Sequence, residues 1–222
     1  MDITKINAMT DQEVKDTIIT LLQRVNREGM DKLIKYLTSD KCDFFTAPAS
    51  TRFHGAFPGG LARHSLNVFF RLSELVTSAS QPGDVLAGQG QNLSDSVILI
   101  SLLHDLCKVN FYKVEMRNKK NENGQWEQVP FYMIDDELPY GHGEKSVYMI
   151  SGFIKLTRDE AMAIRWHMGY SDNEFKAGGY SVGNAFEKCP LAVLTHLADL
   201  EASYFNERRE IERGNSVHRS HF

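Results

Sequence analysis

The stretch VILISLLHDLCK, residues 97–108, constrains this chain most: an apolar run ends abruptly in an imidazole, a carboxylate and an ammonium. Val97, Ile100 and His104 share one stripe of a helix predicted from about Leu93 to Val109, so its buried face leads straight into His104 and Asp105. A carboxylate taken out of water without a partner costs several kcal/mol. The fold must therefore bring partners to this point, and the rest of the chain has to supply them.

Helical periodicity dominates elsewhere. Thr10 and Glu13 form a capping box for a helix carrying Val14, Ile18, Leu21, Leu22 and Val25, and after Gly29 a second segment continues through Leu33, Ile34 and Leu37. Residues 42–60, CDFFTAPASTRFHGAFPGG, read as an ordered connection into a helix from about 61 to 79, and SQPGDVLAGQGQN as a loop. The segment 111–138 partly alternates and holds Asn123-Gly124, which predicts a β-hairpin. A helix opens near 143, and Thr157 with Glu160 caps another that reaches His167 and stops near Gly169. After a glycine-rich loop, Pro190 starts a long C-terminal helix. The expectation is an all-α helical bundle over 1–213 as a single domain, with a small β-hairpin insertion and a flexible C-terminal tail at 214–222 holding His218 and His221.

Lysine plus arginine (25) against aspartate plus glutamate (29) leaves a net charge of -4, which advertises no nucleic-acid partner overall and leaves room for a local basic groove. Cys42, Cys107 and Cys189 are odd in number, far apart and free of any C-x-x-C pair, which argues for a reducing compartment and against a disulfide framework or thiolate zinc site. Cys107 reads as core lining. The N-terminus has no leader pattern and no apolar run is long enough to span a bilayer, so the expected location is cytoplasmic. Helical faces left over after core formation make a dimer conceivable.

Five places answer the demand set by the apolar helix: His64, the His104-Asp105 pair, His142, His167 and Asp199. They fall mostly on or at the ends of different predicted helices, the arrangement by which a bundle projects ligands into its centre. Each histidine alone has a bland reading as a hydrogen-bonded core or helix-end residue; Asp199, interrupting an apolar stripe, is harder to explain so. Mixed imidazole and carboxylate donors suit Fe, Mn, Co, Ni or Zn better than Ca or Mg, and Mn or Fe is the favoured expectation. One ion is assigned to His64, His104, Asp105 and Asp199, a second to His142, His167 and the other oxygen of Asp105. Lys108, three residues past Asp105, is the candidate clamp for an anionic substrate oxygen.

These residues resemble the HD superfamily, whose separated H, HD and D appear here as RHS around His64, LLHDLCK around His104 and Asp105, and HLADLEAS around Asp199. His-Asp with a lysine three residues on is common among its metal-dependent phosphohydrolases, and the motifs span about 50–205. The resemblance implies an HD-domain bundle in which a hydroxide held by two divalent metal ions attacks a phosphomonoester or phosphodiester. His142 in GHGEKS and His167 in IRWHMG then carry over as ligands of the second ion. FHGAFPGGLARHS resembles the approach to the first ligand in YhaM-like 3'-5' exoribonucleases, which places His54 near the substrate to position or protonate the leaving group. Residues 1–50 show nothing like the OB module that precedes the HD domain in those enzymes, so processive handling of RNA is not expected. The implied substrate is a phosphorylated small molecule, a nucleotide or a short single-stranded nucleic acid, with Phe53, Phe57, Tyr112, Trp166, Tyr170 and Tyr180 as candidate stacking surfaces and Arg52, Arg63 and Arg165 as candidate phosphate readers. The same ligand set is similar to that of the inositol oxygenase branch, where a di-iron centre activates dioxygen, and a catalytically silent binding module is a third reading.

Overall fold

In the computed structural model, which describes residues 3–86, 90–121 and 123–207, helices dominate and two strands make one antiparallel sheet. The chain runs α1 (Ile3–Ala8), α2 (Asp11–Gln23), α3 (Met30–Leu37), α4 (Gly60–Ser78), α5 (Gly90–Leu103), β1 (Tyr112–Lys120), β2 (Trp126–Ile134), α6 (His142–Ser151), α7 (Arg158–Arg165), α8 (Asn173–Lys176), α9 (Ser181–Lys188) and α10 (Pro190–Glu201). The tail expected at 214–222 lies outside the described residues.

Both capping boxes form. Thr10 Oγ1 accepts from Glu13 N at 3.3 Å while Glu13 Oε2 accepts from Thr10 N at 2.7 Å, and Thr157 and Glu160 repeat the exchange at 3.2 and 2.8 Å. The second box does more than close a helix end. Glu160 is fully buried and also accepts two bonds from Arg27, at 2.6 and 2.9 Å, and one from Ser96 Oγ at 2.7 Å, so one carboxylate ties the loop after α2 to α5 and α7.

Helix α5 is apolar on every side: Val97, Ile98, Leu99, Ile100, Leu102 and Leu103 are all buried, as suits a helix surrounded by others. Helix α4 packs against α5 and α10, and α7 packs against the same two. Their apolar stripes, with Leu61, Leu66, Leu72, Ile164, Ala192 and Ala198, form the core around which the remaining helices wrap.

The hairpin expected within 111–138 pairs β1 and β2 from Tyr112↔Ile134 to Lys120↔Trp126, and most of both faces is exposed. Its base is fastened to α6, where the buried Lys145 binds Asp136 at 2.5 Å and lies over the Phe111 ring at 4.9 Å.

Three expectations need correction. Helix α5 runs from Gly90 to Leu103 and stops before Val109: Asp105 has φ -101° and ψ 20°, and a separate 3-10 turn covers Leu106–Lys108. Nothing local in LLHDLCK breaks a helix. The break leaves Asp105 with bridge-region backbone, of a kind that recurs at functional sites. Asn110, with φ 51°, then turns the chain away, held by Asp43 Oδ1 on its N–H and Lys41 O on its side-chain amide. The segment 169–189, expected as loop, contains a 3-10 turn at Gly169–Ser171 and the short helices α8 and α9. The C-terminal helix gives way after Glu201 to a π turn, Ala202–Asn206.

Candidate metal centre

Each expected donor arrives on its own element. His64 lies one turn into α4, His104 follows the last residue of α5, His142 opens α6, His167 follows α7 and Asp199 sits in the last turns of α10. The four histidines converge on Asp105. His64 Nε2 and His104 Nε2 stand 3.6 and 3.5 Å from Asp105 Oδ2, while His142 Nε2 and His167 Nε2 stand 2.9 and 3.5 Å from Oδ1. Asp199 Oδ1 is 3.2 Å from His64 Nε2. The two carboxylate oxygens thus face two different pairs of imidazoles, and the donor atoms of each group lie within 4.8 Å of one another. His54, His64 and Glu207 form a third group by the same measure.

The far side of every ring is occupied. His104 Nδ1 lies 2.9 Å from Ser101 O and His167 Nδ1 lies 2.7 Å from Ile164 O, so each donates to a backbone carbonyl of its own helix. His142 Nδ1 is 3.3 Å from Cys107 Sγ, and His64 Nδ1 is 3.0 Å from Glu207 Oε1. With Nδ1 so engaged, Nε2 is the atom that faces inward, and in the neutral ring it carries the lone pair a metal ligand needs. Two of these inward atoms, His64 Nε2 and His104 Nε2, are buried and have no aligned hydrogen-bond partner. Orphaned nitrogens of this kind, beside shared carboxylate oxygens, fit a pair of divalent cations.

Charge in the site is balanced internally. Burial opposes ionisation of Asp105, yet Lys108 and His104 hold its carboxyl well below the usual carboxylate range, and His64 does the same for Asp199. Against its own burial, His64 is raised to about 10 by Glu207 and Asp199. Lys108, expected as a free clamp, instead binds Asp105 Oδ2 at 2.6 Å across the 3-10 turn, so its first effect is on the shared carboxylate. His54 lies against His64, the rings tilted and 5.0 Å apart between centres; burial and His64 push it down to about 4, which leaves it neutral at pH 7. Cys107, read as core lining, backs His142, and His196 holds the His167 turn by bonding His167 O at 2.7 Å.

A cavity of about 680 Å³ opens over Asp105, Lys108, His142 and Asp199 and is walled by His54, Arg52, Phe53, Tyr112, Ile134 and Tyr204. No family model, curated protein or solved structure matches the chain. The donor set and the cavity are the ground for any assignment. Of the expected stacking surfaces only Phe53 and Tyr112 line the cavity; Tyr204, lying in a π turn the sequence does not announce, was missed. Arg63 and Arg165 are not phosphate readers: the first is buried and binds Ile6 O, Met9 O and Asp11, the second pairs with Glu144 and Asp172 and stacks on Trp166. Arg52 remains at the rim. Glu207 was missed as well, because it falls within the charged end of the long helix expected after Pro190.

Gly143 sets how closely His142 and His167 approach. A Cβ there would collide with the backbone carbonyl of Arg165, so α6 and α7 can meet only at a glycine. Gly143→Ala is expected to part the two helix ends, costing about 1–3 kcal/mol from overpacking and weakening ion uptake by the His142 and His167 pair. Urea melts and metal titration of the variant measure both; wild-type values for both would refute the role.

Proposed function

We propose that the chain is a metal-dependent phosphohydrolase of the HD type, acting on a phosphoester of a nucleotide or a short nucleic acid. One observation carries the reading: four imidazoles direct Nε2 at the two oxygens of a single buried aspartate, two to each, under an open cavity. His64, His104, Asp105 and Asp199 would hold one divalent ion, and His142, His167 and the other oxygen of Asp105 a second. Mn or Fe suits these donors. Bound there, the ions would supply an acidified water for attack on phosphorus and positive charge for the phosphate oxygens.

The chain's own groups would do the rest. Lys108 anchors Asp105 and adds a cation at the cavity floor, favouring an anionic substrate. Arg52 at the rim would meet a further phosphate oxygen, and Phe53, Tyr112 and Tyr204 offer apolar walls for a flat organic group. Neutral His54 would hold the leaving oxygen through an N–H rather than through a full charge.

The test is turnover of a chromogenic phosphodiester, then of nucleotides and short oligonucleotides, by Mn-loaded protein. Metal-dependent release of phosphate or nucleotide is expected. Ion uptake without turnover on any phosphoester, or substrate-dependent oxygen consumption by the iron-loaded chain, would overturn the hydrolase assignment; no ion uptake at all would overturn the metal centre.

A further inference from the structure

Among the four inward-facing imidazoles, His64 alone is backed by a carboxylate. Glu207 Oε1 lies 3.0 Å from His64 Nδ1 and also accepts from Asn67 Nδ2 at 3.2 Å; both Glu207 and Asn67 are buried. The other rings rest on backbone carbonyls or a thiol, which are weaker acceptors than an ionised carboxylate. A carboxylate is costly to bury without partners such as His64 and Asn67. The same helical segment therefore grips both ends of one ring, Asp199 beside Nε2 and Glu207 at Nδ1. In an unbroken α-helix, residues eight apart point about 80° away from each other. The π turn at Ala202–Asn206 takes up one additional residue and brings Glu207 back to the face of Asp199.

We propose that Glu207 is a positioning residue that fixes His64 with its proton on Nδ1 and its Nε2 lone pair directed at Asp105 and Asp199, and thereby sets the affinity of the first ion position. The inference rests on the metal-centre reading above. The second position, built on His142 and His167, has no contact with Glu207 and should not depend on it.

The experiment titrates metal-stripped full chain with Mn(II) by calorimetry, for wild type, Glu207→Ala and Glu207→Gln, each also in a His167→Ala background where only the first position remains. Glu207→Ala is expected to weaken the first position by roughly 10–100-fold, the range for losing an outer hydrogen-bond partner of a ligand, with the second unchanged. Glu207→Gln keeps the volume and an oxygen that accepts from Nδ1–H, so it should recover most of the loss. Nitrogen-15 spectra of the Zn(II)-loaded wild type should show His64 protonated at Nδ1. Wild-type affinity in a folded Glu207→Ala protein, or a Gln variant as weak as the Ala one, would overturn the proposal while leaving the metal centre standing. A wild type that takes up no ion would instead remove the metal centre, and the proposal with it.

Discussion

Asp105→Asn is expected to empty both ion positions at once. The amide keeps the shape of the carboxylate but offers one oxygen where two now serve His64 and His104 on one side and His142 and His167 on the other. It also strips Lys108 of its anion at 2.6 Å and leaves an ammonium at the cavity floor without a counter-charge. The loss of turnover should exceed the roughly 10–100-fold that follows from removing a hydrogen-bond partner one step further from the metal. His167→Ala provides the contrast, lowering occupancy at the second position and sparing the first. Metal analysis of both purified variants, alongside phosphodiester turnover, decides the matter. An Asp105→Asn protein with two ions and full activity would show that this carboxylate does not bridge.

Arg27→Ala should be the most damaging change away from the site. Glu160 is fully buried and Arg27 mostly so, and removing one partner of a buried pair typically costs about 3–5 kcal/mol, which in a chain of this size lowers Tm by roughly 6–20 °C. The effect has a pH signature. Although burial works against it, the Arg27 bond holds the Glu160 carboxyl below its ordinary value. Its contribution is therefore complete above the unfolded carboxylate range, near about pH 4.3, and is lost as pH falls through the folded value. Urea melts at pH 7 should show the full difference between wild type and variant, and melts under acid conditions a smaller one. A gap below about 1 kcal/mol at pH 7, the worth of an exposed pair, or one that does not shrink in acid, would contradict the account.

What could be read from the sequence was whatever breaks a local pattern. His64 and Asp199 interrupt apolar stripes and the His104-Asp105 pair ends one, and such interruptions are visible without knowing what packs where; the structure brings all of them to one point. The capping boxes at Thr10 and Thr157 were legible because their bonds close within four residues. The hairpin showed through Asn123-Gly124 and its alternation. What stayed hidden depends on contacts distant in sequence. The stop after Leu103 contradicts local helix propensity and coincides with the point where Asp105 meets side chains from three other segments. Glu207 sits at the charged end of the expected helix, and only the π turn folds it inward. Cys107 is an ordinary buried residue until His142 arrives from 35 positions away. Arg63 and Arg165 looked like phosphate readers because their acceptors, backbone carbonyls and carboxylates from other segments, leave no mark beside them.

The span of the site has a kinetic consequence. The bond from Glu207 to His64 closes a separation of 143 residues, and Asp199 reaches the same ring from α10. No fragment ending before the last helix holds the first donor set, so that set exists only once segments 143 residues apart have met, and pairing over such separations slows folding. Where those contacts form after the folding barrier, an ion captured there strengthens interactions absent from it. It should leave the refolding rate almost unchanged and prolong the lifetime of the folded state, making the centre a brake on unfolding as well as the seat of any chemistry.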